Sequence, residues 1–248
     1  MDTQETSSIS VHELKKSFGS QVVLDGVSFE LGSGKVTCVL GRSGTGKSVL
    51  LKLLIGLEKP DAGRVVLVGK DITKSSNSEI NEARKKVGFL FQQAALYDSM
   101  TIEENVAFPL RRHVKQSDSE RQEKVHQLLT SVGLDQDLAK MPSQISGGMK
   151  KRVGLARALA LDPIAVMFDE PTAGLDPMSA AEIAKLIVDL RDQRHITSLV
   201  VTHDLHTART IADRLIVLDK AKVIFDGSLD EFEKSSNPFI TQFLKDAA

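Results

Sequence analysis

The octapeptide Gly41-Arg42-Ser43-Gly44-Thr45-Gly46-Lys47-Ser48 constrains this chain more than any other feature. It matches the phosphate-loop pattern G-x-x-x-x-G-K-[ST], for which ordinary residue usage gives a chance match on the order of one in a hundred. The apolar run 36–40 (VTCVL) precedes it and the helical pattern 47–57 (KSVLLKLLIGL) follows, the strand–loop–helix setting such a loop requires. Glycines let the backbone wrap an anion with its N–H groups turned inward, and the helix behind offers its positive N-terminal end. Lys47 is placed to reach the β- and γ-phosphates of a nucleotide, and the Ser48 hydroxyl to hold Mg²⁺.

Other β-rich runs are 22–24 with 27–31, 65–68, 87–91, 164–168, 198–202 and 215–218. VTCVL, IAVMF and SLVVT hardly alternate, as expected for strands covered on both faces of a parallel sheet. Between them lie helical patterns: 146–161, and the stripe Ile183, Leu186, Ile187, Leu190. Strands alternating with helices predict an α/β core with ligands at the strand C-termini. Residues 93–159 lack a convincing buried strand, which predicts a helical subdomain inserted into a core made of 1–92 and 160–248. The polar stretches 1–8, 74–82, 115–124 and 234–237 read as surface loops.

Two further constellations carry chemistry. Strand 164–168 ends in Asp169 and Glu170, placing two carboxylates at the sheet edge where a nucleotide would sit. Asp169 is the candidate to orient Mg²⁺, and Glu170 to polarise or align an attacking water. Ser146-Gly147-Gly148 then supplies an N-cap and two residues that admit close backbone approach, ahead of a helix. That is a second anion-binding helix start in a chain with one phosphate loop.

In their order, these motifs resemble the ATP-binding cassette (ABC) ATPase family over essentially the whole chain. Gln92 falls at the position of the glutamine loop, 145–149 at the signature, Ala173-Gly174-Leu175-Asp176 at the D-loop, and His203, after a strand, at the switch histidine. Phe18 matches the aromatic that stacks on adenine. The resemblance implies a P-loop NTPase (RecA-like) core with an inserted helical signature subdomain, and ATP hydrolysis with Mg²⁺. It assigns Lys47, Gln92, Glu170 and His203 to catalysis and Ser48, Gln92 and Asp169 to the metal. Nucleotide contacts fall to Phe18, Gly41, Arg42, Ser43, Gly44, Thr45, Gly46, Lys47, Ser48, Ser146, Gly147, Gly148 and Asp176. It also implies a head-to-tail homodimer in which each ATP lies between one phosphate loop and the partner's signature. Met149, Arg42 and Phe18 depart from the commonest glutamine, proline and tyrosine, and none removes a catalytic group. S-G-G-M, G-T-G-K-S-V, the run Phe89–Tyr97 and the run Asn105–Arg111 are similar to the branch that drives MCE-type (Mla-like) lipid transporters. That branch implies an integral membrane permease and an MCE-domain protein as partners, with the ATPase on the cytoplasmic face of the inner membrane. The alternatives are a cassette for amino acids or lipoproteins, or a soluble iron–sulfur cluster assembly ATPase.

Composition narrows the partners. Lys plus Arg number 32 against 33 Asp plus Glu, a net charge of −1, which argues against a global grip on nucleic acid. Apolar runs fall short of a membrane span, the opening MDTQETSSIS is not expected to be a signal peptide, and a lone cysteine suits a reducing compartment. Cys38, inside an apolar strand, reads as core. His12, His113, His126, His195 and His206 read as surface or packing residues, and Lys150, Lys151 and Arg152 as a solvated helix face. Tyr97, beside Gln92, is a packed aromatic or part of a permease groove.

Overall fold

The computed structural model describes residues 9–246; residues 1–8, expected to be a surface stretch, lie outside the described residues. The described chain runs β1 (Ile9–Phe18), β2 (Gln21–Glu30), β3 (Val36–Leu40), α1 (Lys47–Leu54), β4 (Ala62–Leu67), β5 (Lys70–Asp71), α2 (Asn77–Arg84) and β6 (Val87–Leu90). It continues with α3 (Ile102–His113), α4 (Asp118–Ser131), α5 (Gly147–Ala158), β7 (Ala165–Asp169), α6 (Pro177–Arg194), β8 (Thr197–Thr202) and α7 (Leu205–Ile211). The last elements are β9 (Arg214–Asp219), β10 (Lys222–Gly227), α8 (Leu229–Glu233) and α9 (Pro238–Asp246). Between β6 and β7 the described chain forms helices and turns only.

The six-stranded sheet has the order β10-β9-β3-β8-β7-β6, parallel except where β10 pairs antiparallel with β9 at the edge. A separate antiparallel sheet has the order β2-β1-β4-β5. The P-loop core is therefore a mixed structure and not a purely parallel one. β3 and β8 are buried at every residue, which is why their sequences do not alternate.

Alternation nevertheless survives in what each side chain touches. Val36, Cys38, Leu40, Val166, Phe168, Val200, Leu215 and Val217 join one apolar cluster with α3, α5, α6 and α7. Val39, Ala165, Met167, Leu199, Val201, Ile216 and Leu218 join another with α1, α2 and the antiparallel sheet. The central sheet is thus the middle layer of three, covered on both faces.

Several expectations change. The runs 22–24 and 27–31 form one strand, because Gly26 (φ 75°) takes the left-handed conformation where the β1–β2 register shifts. α1 stops at Leu54 instead of 57: Gly56 turns left-handed (φ 66°), and Arg84 donates to the Ile55 and Gly56 carbonyls at 2.7 and 2.8 Å. The stretches 74–82 and 115–124 are not simply loops. Each starts a helix through a capping box, Ser76 with Glu79 and Ser117 with Glu120. β1 and β10 carry enough charged and polar residues to hide their pattern.

Phe168 is fully buried at the centre of the helix-covered face. Phe168→Ala is expected to lower unfolding stability by about 3–5 kcal/mol, measured by urea denaturation.

Candidate functional site

Strand register assembles the site. In the parallel ladder Leu40 lies opposite Thr202, and Asp169 opposite Val201. Three strands therefore end at one level, and the residues that follow, Gly41, Glu170 and His203, emerge side by side.

The 41–48 loop wraps tightly. Gly46 (φ 98°) precedes α1, and a Cβ there would meet the Val23 side chain and carbonyl at 2.8 and 2.9 Å. At Gly44 (φ 82°) the space is open. Lys47 is 6% exposed, and its Nζ donates to the Gly41 and Arg42 carbonyls at 2.7 and 3.1 Å. It also lies 3.6 Å from Glu170 Oε1. Burial pushes the Lys47 ammonium below the usual lysine range, against the pull of Glu170 and Asp169.

The carboxylates differ in their partners. The Ser48 hydroxyl donates to Asp169 Oδ1 at 2.9 Å, while burial pushes the Asp169 carboxyl up. Glu170 adopts φ 46°, a left-handed conformation that costs about 1–2 kcal/mol for a residue with a side chain. His203 Nδ1 sits 3.0 Å from both Glu170 carboxylate oxygens, and the Thr202 hydroxyl donates to Oε2 at 3.2 Å.

A cavity of about 430 Å³ collects Phe18, Ser43, Gly44, Gly46, Lys47, Ser48, Gln92, Glu170 and His203. The donors present suit a nucleotide with Mg²⁺. Lys47 supplies one buried positive charge, Gly44 leaves its backbone open, and Ser48, Asp169 and Gln92 offer the hard oxygens magnesium takes. Phe18 is 46% exposed, with Lys16 Nζ 4.9 Å from its ring centroid.

Not every expected contact converges here. Arg42 lends its carbonyl to Lys47 and Thr45, but its guanidinium turns away to Asp246 (3.4 Å) and the Phe239 ring (5.4 Å) on α9. The Thr45 hydroxyl donates to the Arg42 carbonyl at 2.9 Å, bracing the loop. Asp176 caps α6, accepting from Met178 and Ser179 N–H; the Ser179 side chain, then these N–H groups, hold its carboxyl below the usual range. Ser146 caps α5 by accepting from Met149 N–H at 3.2 Å. Ser146, Gly147, Gly148 and Asp176 do not line the cavity of their own chain.

The charge run 150–152 is not one solvated face: Lys150 stays partly exposed, but its two neighbours turn inward. Lys151 is 4% exposed and its Nζ donates to the Glu170 carbonyl at 3.0 Å; burial pushes its ammonium down to about 8. Arg152 is half-buried and donates to the Val132 carbonyl at 3.0 Å. A charge run in a sequence carries no information about which member a neighbouring strand will cover. Thr202 gave no signal in the sequence because its partner, Glu170, belongs to the end of another strand. As expected, Cys38 is buried core, with its thiol pushed well above the usual range.

Beyond Gln92 the chain turns sharply through Ala94 (φ 57°) and Ala95 (φ 47°), whose carbonyls accept from Arg157 of α5 at 2.6 and 2.8 Å. Asn105, fully buried, holds the next turn: its side-chain amide donates to the Tyr97, Met100 and Thr101 carbonyls and accepts from Tyr97 N–H. These bonds shape a groove of about 400 Å³ lined in part by Phe89, Phe91, Tyr97, Phe108, Pro109 and Arg157.

Residues 24–173 match the ABC transporter family. The chain is 45% identical over 96% of its length to the "Probable ribonucleotide transport ATP-binding protein mkl" of Mycobacterium tuberculosis, of which it spans 66%. It is 40% identical over 96% of its length to the "Intermembrane phospholipid transport system ATP-binding protein MlaF" of Haemophilus influenzae, of which it spans 90%. Its fold resembles the ATP-binding cassette MJ0796, solved as a dimer in a post-hydrolysis state bound to ADP and Pi, with TM-score 0.81 and 31% identity over 89% of this chain and 98% of that one. With its phosphate loop, acidic strand end and strand-end histidine gathered around one cavity, the chain belongs to the ABC transporter family, whose ATP-hydrolysing domain takes ATP and Mg²⁺.

Proposed function

We propose that this chain is the ATP-hydrolysing subunit of a membrane transporter and works as a head-to-tail pair. The observation that carries the reading is the convergence of Lys47, Ser48, Asp169, Glu170 and His203 at the ends of three strands. In the chain alone, the Lys47 ammonium is spent on loop carbonyls, the partners that phosphate oxygens would replace. Mg²⁺ held by Ser48, Asp169 and Gln92 would neutralise charge on the phosphates. Glu170 is the base that takes the proton of the attacking water, and His203 and Thr202 keep its carboxylate aligned. Phe18 offers a face for the adenine.

The second anion site supports the pair. Ser146, Gly147 and Gly148 open α5 but lie outside the cavity of their own chain, so a second copy in the head-to-tail arrangement would bring them to the γ-phosphate. Asp176, the exposed residue that caps the start of α6, would lie in the same interface.

For the cargo, we propose lipid, moved through an MCE-type complex. The motifs around Ser146 and Gly41 support it, as does the 40% identity to a phospholipid-transport ATPase matched over 90% of its length. Ribonucleotide is the second reading, favoured by the 45% identity to the mycobacterial protein. Among the described residues no helix is long and apolar enough to cross a membrane, so attachment at the cytoplasmic face would come through protein contacts. The aromatic groove beside Gln92 is where a short cytoplasmic helix of the permease would dock, with Phe91 and Tyr97 exposed at its surface.

Glu170→Gln is expected to keep nucleotide affinity and lower turnover by about a hundredfold or more, in a steady-state ATPase assay. Wild-type turnover would refute the base. Mixing Ser146→Arg with Lys47→Ala is expected to recover part of the ATPase activity that each lacks alone, because a mixed pair holds one intact site. No recovery at any ratio, with mixed pairs shown to form, refutes the head-to-tail arrangement. Affinity purification of the chain from detergent-solubilised membranes is expected to yield a permease and an MCE-domain protein with bound phospholipid. Cluster-assembly proteins without a permease overturn the transport reading, and a nucleotide-binding partner replaces lipid with ribonucleotide.

A further inference from the structure

The helix that begins at the signature is tied to the catalytic carboxylate of its own chain by one side chain. Lys151 lies in the second turn of α5, one turn beyond the Ser146 cap. It is 4% exposed, and its Nζ donates to the backbone carbonyl of Glu170 at 3.0 Å. No carboxylate of the described residues comes within ion-pair distance of it, although Asp169 and Glu170 are near enough to attract it. Removing an ammonium from water is costly, and a methionine would fill a similar volume without that cost. The charge is therefore retained for what it touches.

What it touches is the most constrained backbone of the site. Glu170 holds φ 46°, its N–H donates to the Val201 carbonyl at 2.9 Å, and its own carbonyl also accepts from Ala173 N–H at 3.2 Å. The direction of the Glu170 side chain toward Lys47 and His203 follows from that turn. Lys151 sets the carbonyl end of the turn from α5, while the strand β8 sets the amide end.

We infer that Lys151 is a positioning residue that couples α5, and so the Ser146–Gly148 segment, to the orientation of Glu170 in the same chain. The inference rests on Glu170 being the base. Seating of Ser146 on the nucleotide bound by the partner would then be felt at the subunit's own Glu170 through one hydrogen bond. The carboxylate would be aligned for turnover only when the signature is engaged.

The test uses the full chain with ATP and Mg²⁺, comparing Lys151→Met, Lys151→Gln and Glu170→Gln by steady-state ATPase kinetics. Lys151→Met is expected to lower kcat by about tenfold or more while KM for ATP changes by less than about threefold. Lys151→Gln, which keeps an N–H donor, is expected to recover to within about threefold of the wild-type kcat. Wild-type kcat in Lys151→Met, a loss carried by KM alone, or Lys151→Gln as impaired as Lys151→Met overturns the inference. If Lys151→Met does not fold, Lys151→Gln decides: folded protein with near-wild-type kcat supports the donor role, and about a tenfold loss overturns it. Full turnover by Glu170→Gln defeats the underlying base assignment instead, so the two failures are told apart.

Discussion

Two lysines and two carboxylates share a largely buried space where β3 and β7 end, and the rest of the structure is arranged to make that tolerable. Lys47 lies 3.6 Å from Glu170 Oε1, and Lys151 approaches the same residue from its backbone side. Such charges survive burial only when each has a partner of good geometry. Lys47 has two loop carbonyls, Asp169 has the Ser48 hydroxyl, and Glu170 has Thr202 and His203. The two apolar layers around the central sheet hold these partners in register and supply the stability that a buried polar cluster does not.

The same architecture explains why binding and chemistry are coupled through backbone. The phosphate loop, the Glu170 turn and the His203 turn are direct continuations of adjacent strands, so none can move without disturbing a ladder. α5 is the exception that links elements: Lys151 reaches Glu170, and Arg157 reaches the Ala94 and Ala95 carbonyls just beyond Gln92. One helix thus touches the catalytic turn, the turn after Gln92 and the wall of the aromatic groove. A partner docked in that groove would press on the same helix that starts at Ser146.

Much of the local structure was legible, and some of what was overlooked was legible too. Ser76 with Glu79 and Ser117 with Glu120 are capping boxes written in the sequence, yet the polar stretches around them read as loops. β1 was obscured because its apolar residues Ile9, Val11 and Leu14 break step at a register shift and then give way to lysines. Helix α1 was read too long because the partner that ends it, Arg84, sits about thirty residues away.

By itself the sequence determined the phosphate loop, the strand-end carboxylates and the capped helix after Ile145, because each is a local pattern whose chemistry needs only neighbours in the chain. It determined the buried strands as well, since VTCVL and SLVVT hardly alternate and β3 and β8 are buried at every residue. Only the tertiary structure decided which charges are buried. Lys151 and Arg152 are adjacent, but one meets the Glu170 carbonyl just after strand β7 and the other the Val132 carbonyl at the end of helix α4. Likewise Arg42 belongs to the phosphate loop in sequence while its guanidinium belongs to α9 in space. The reason is the same in both: a side chain's partner across the fold depends on packing between elements far apart in the chain, which no local spacing records.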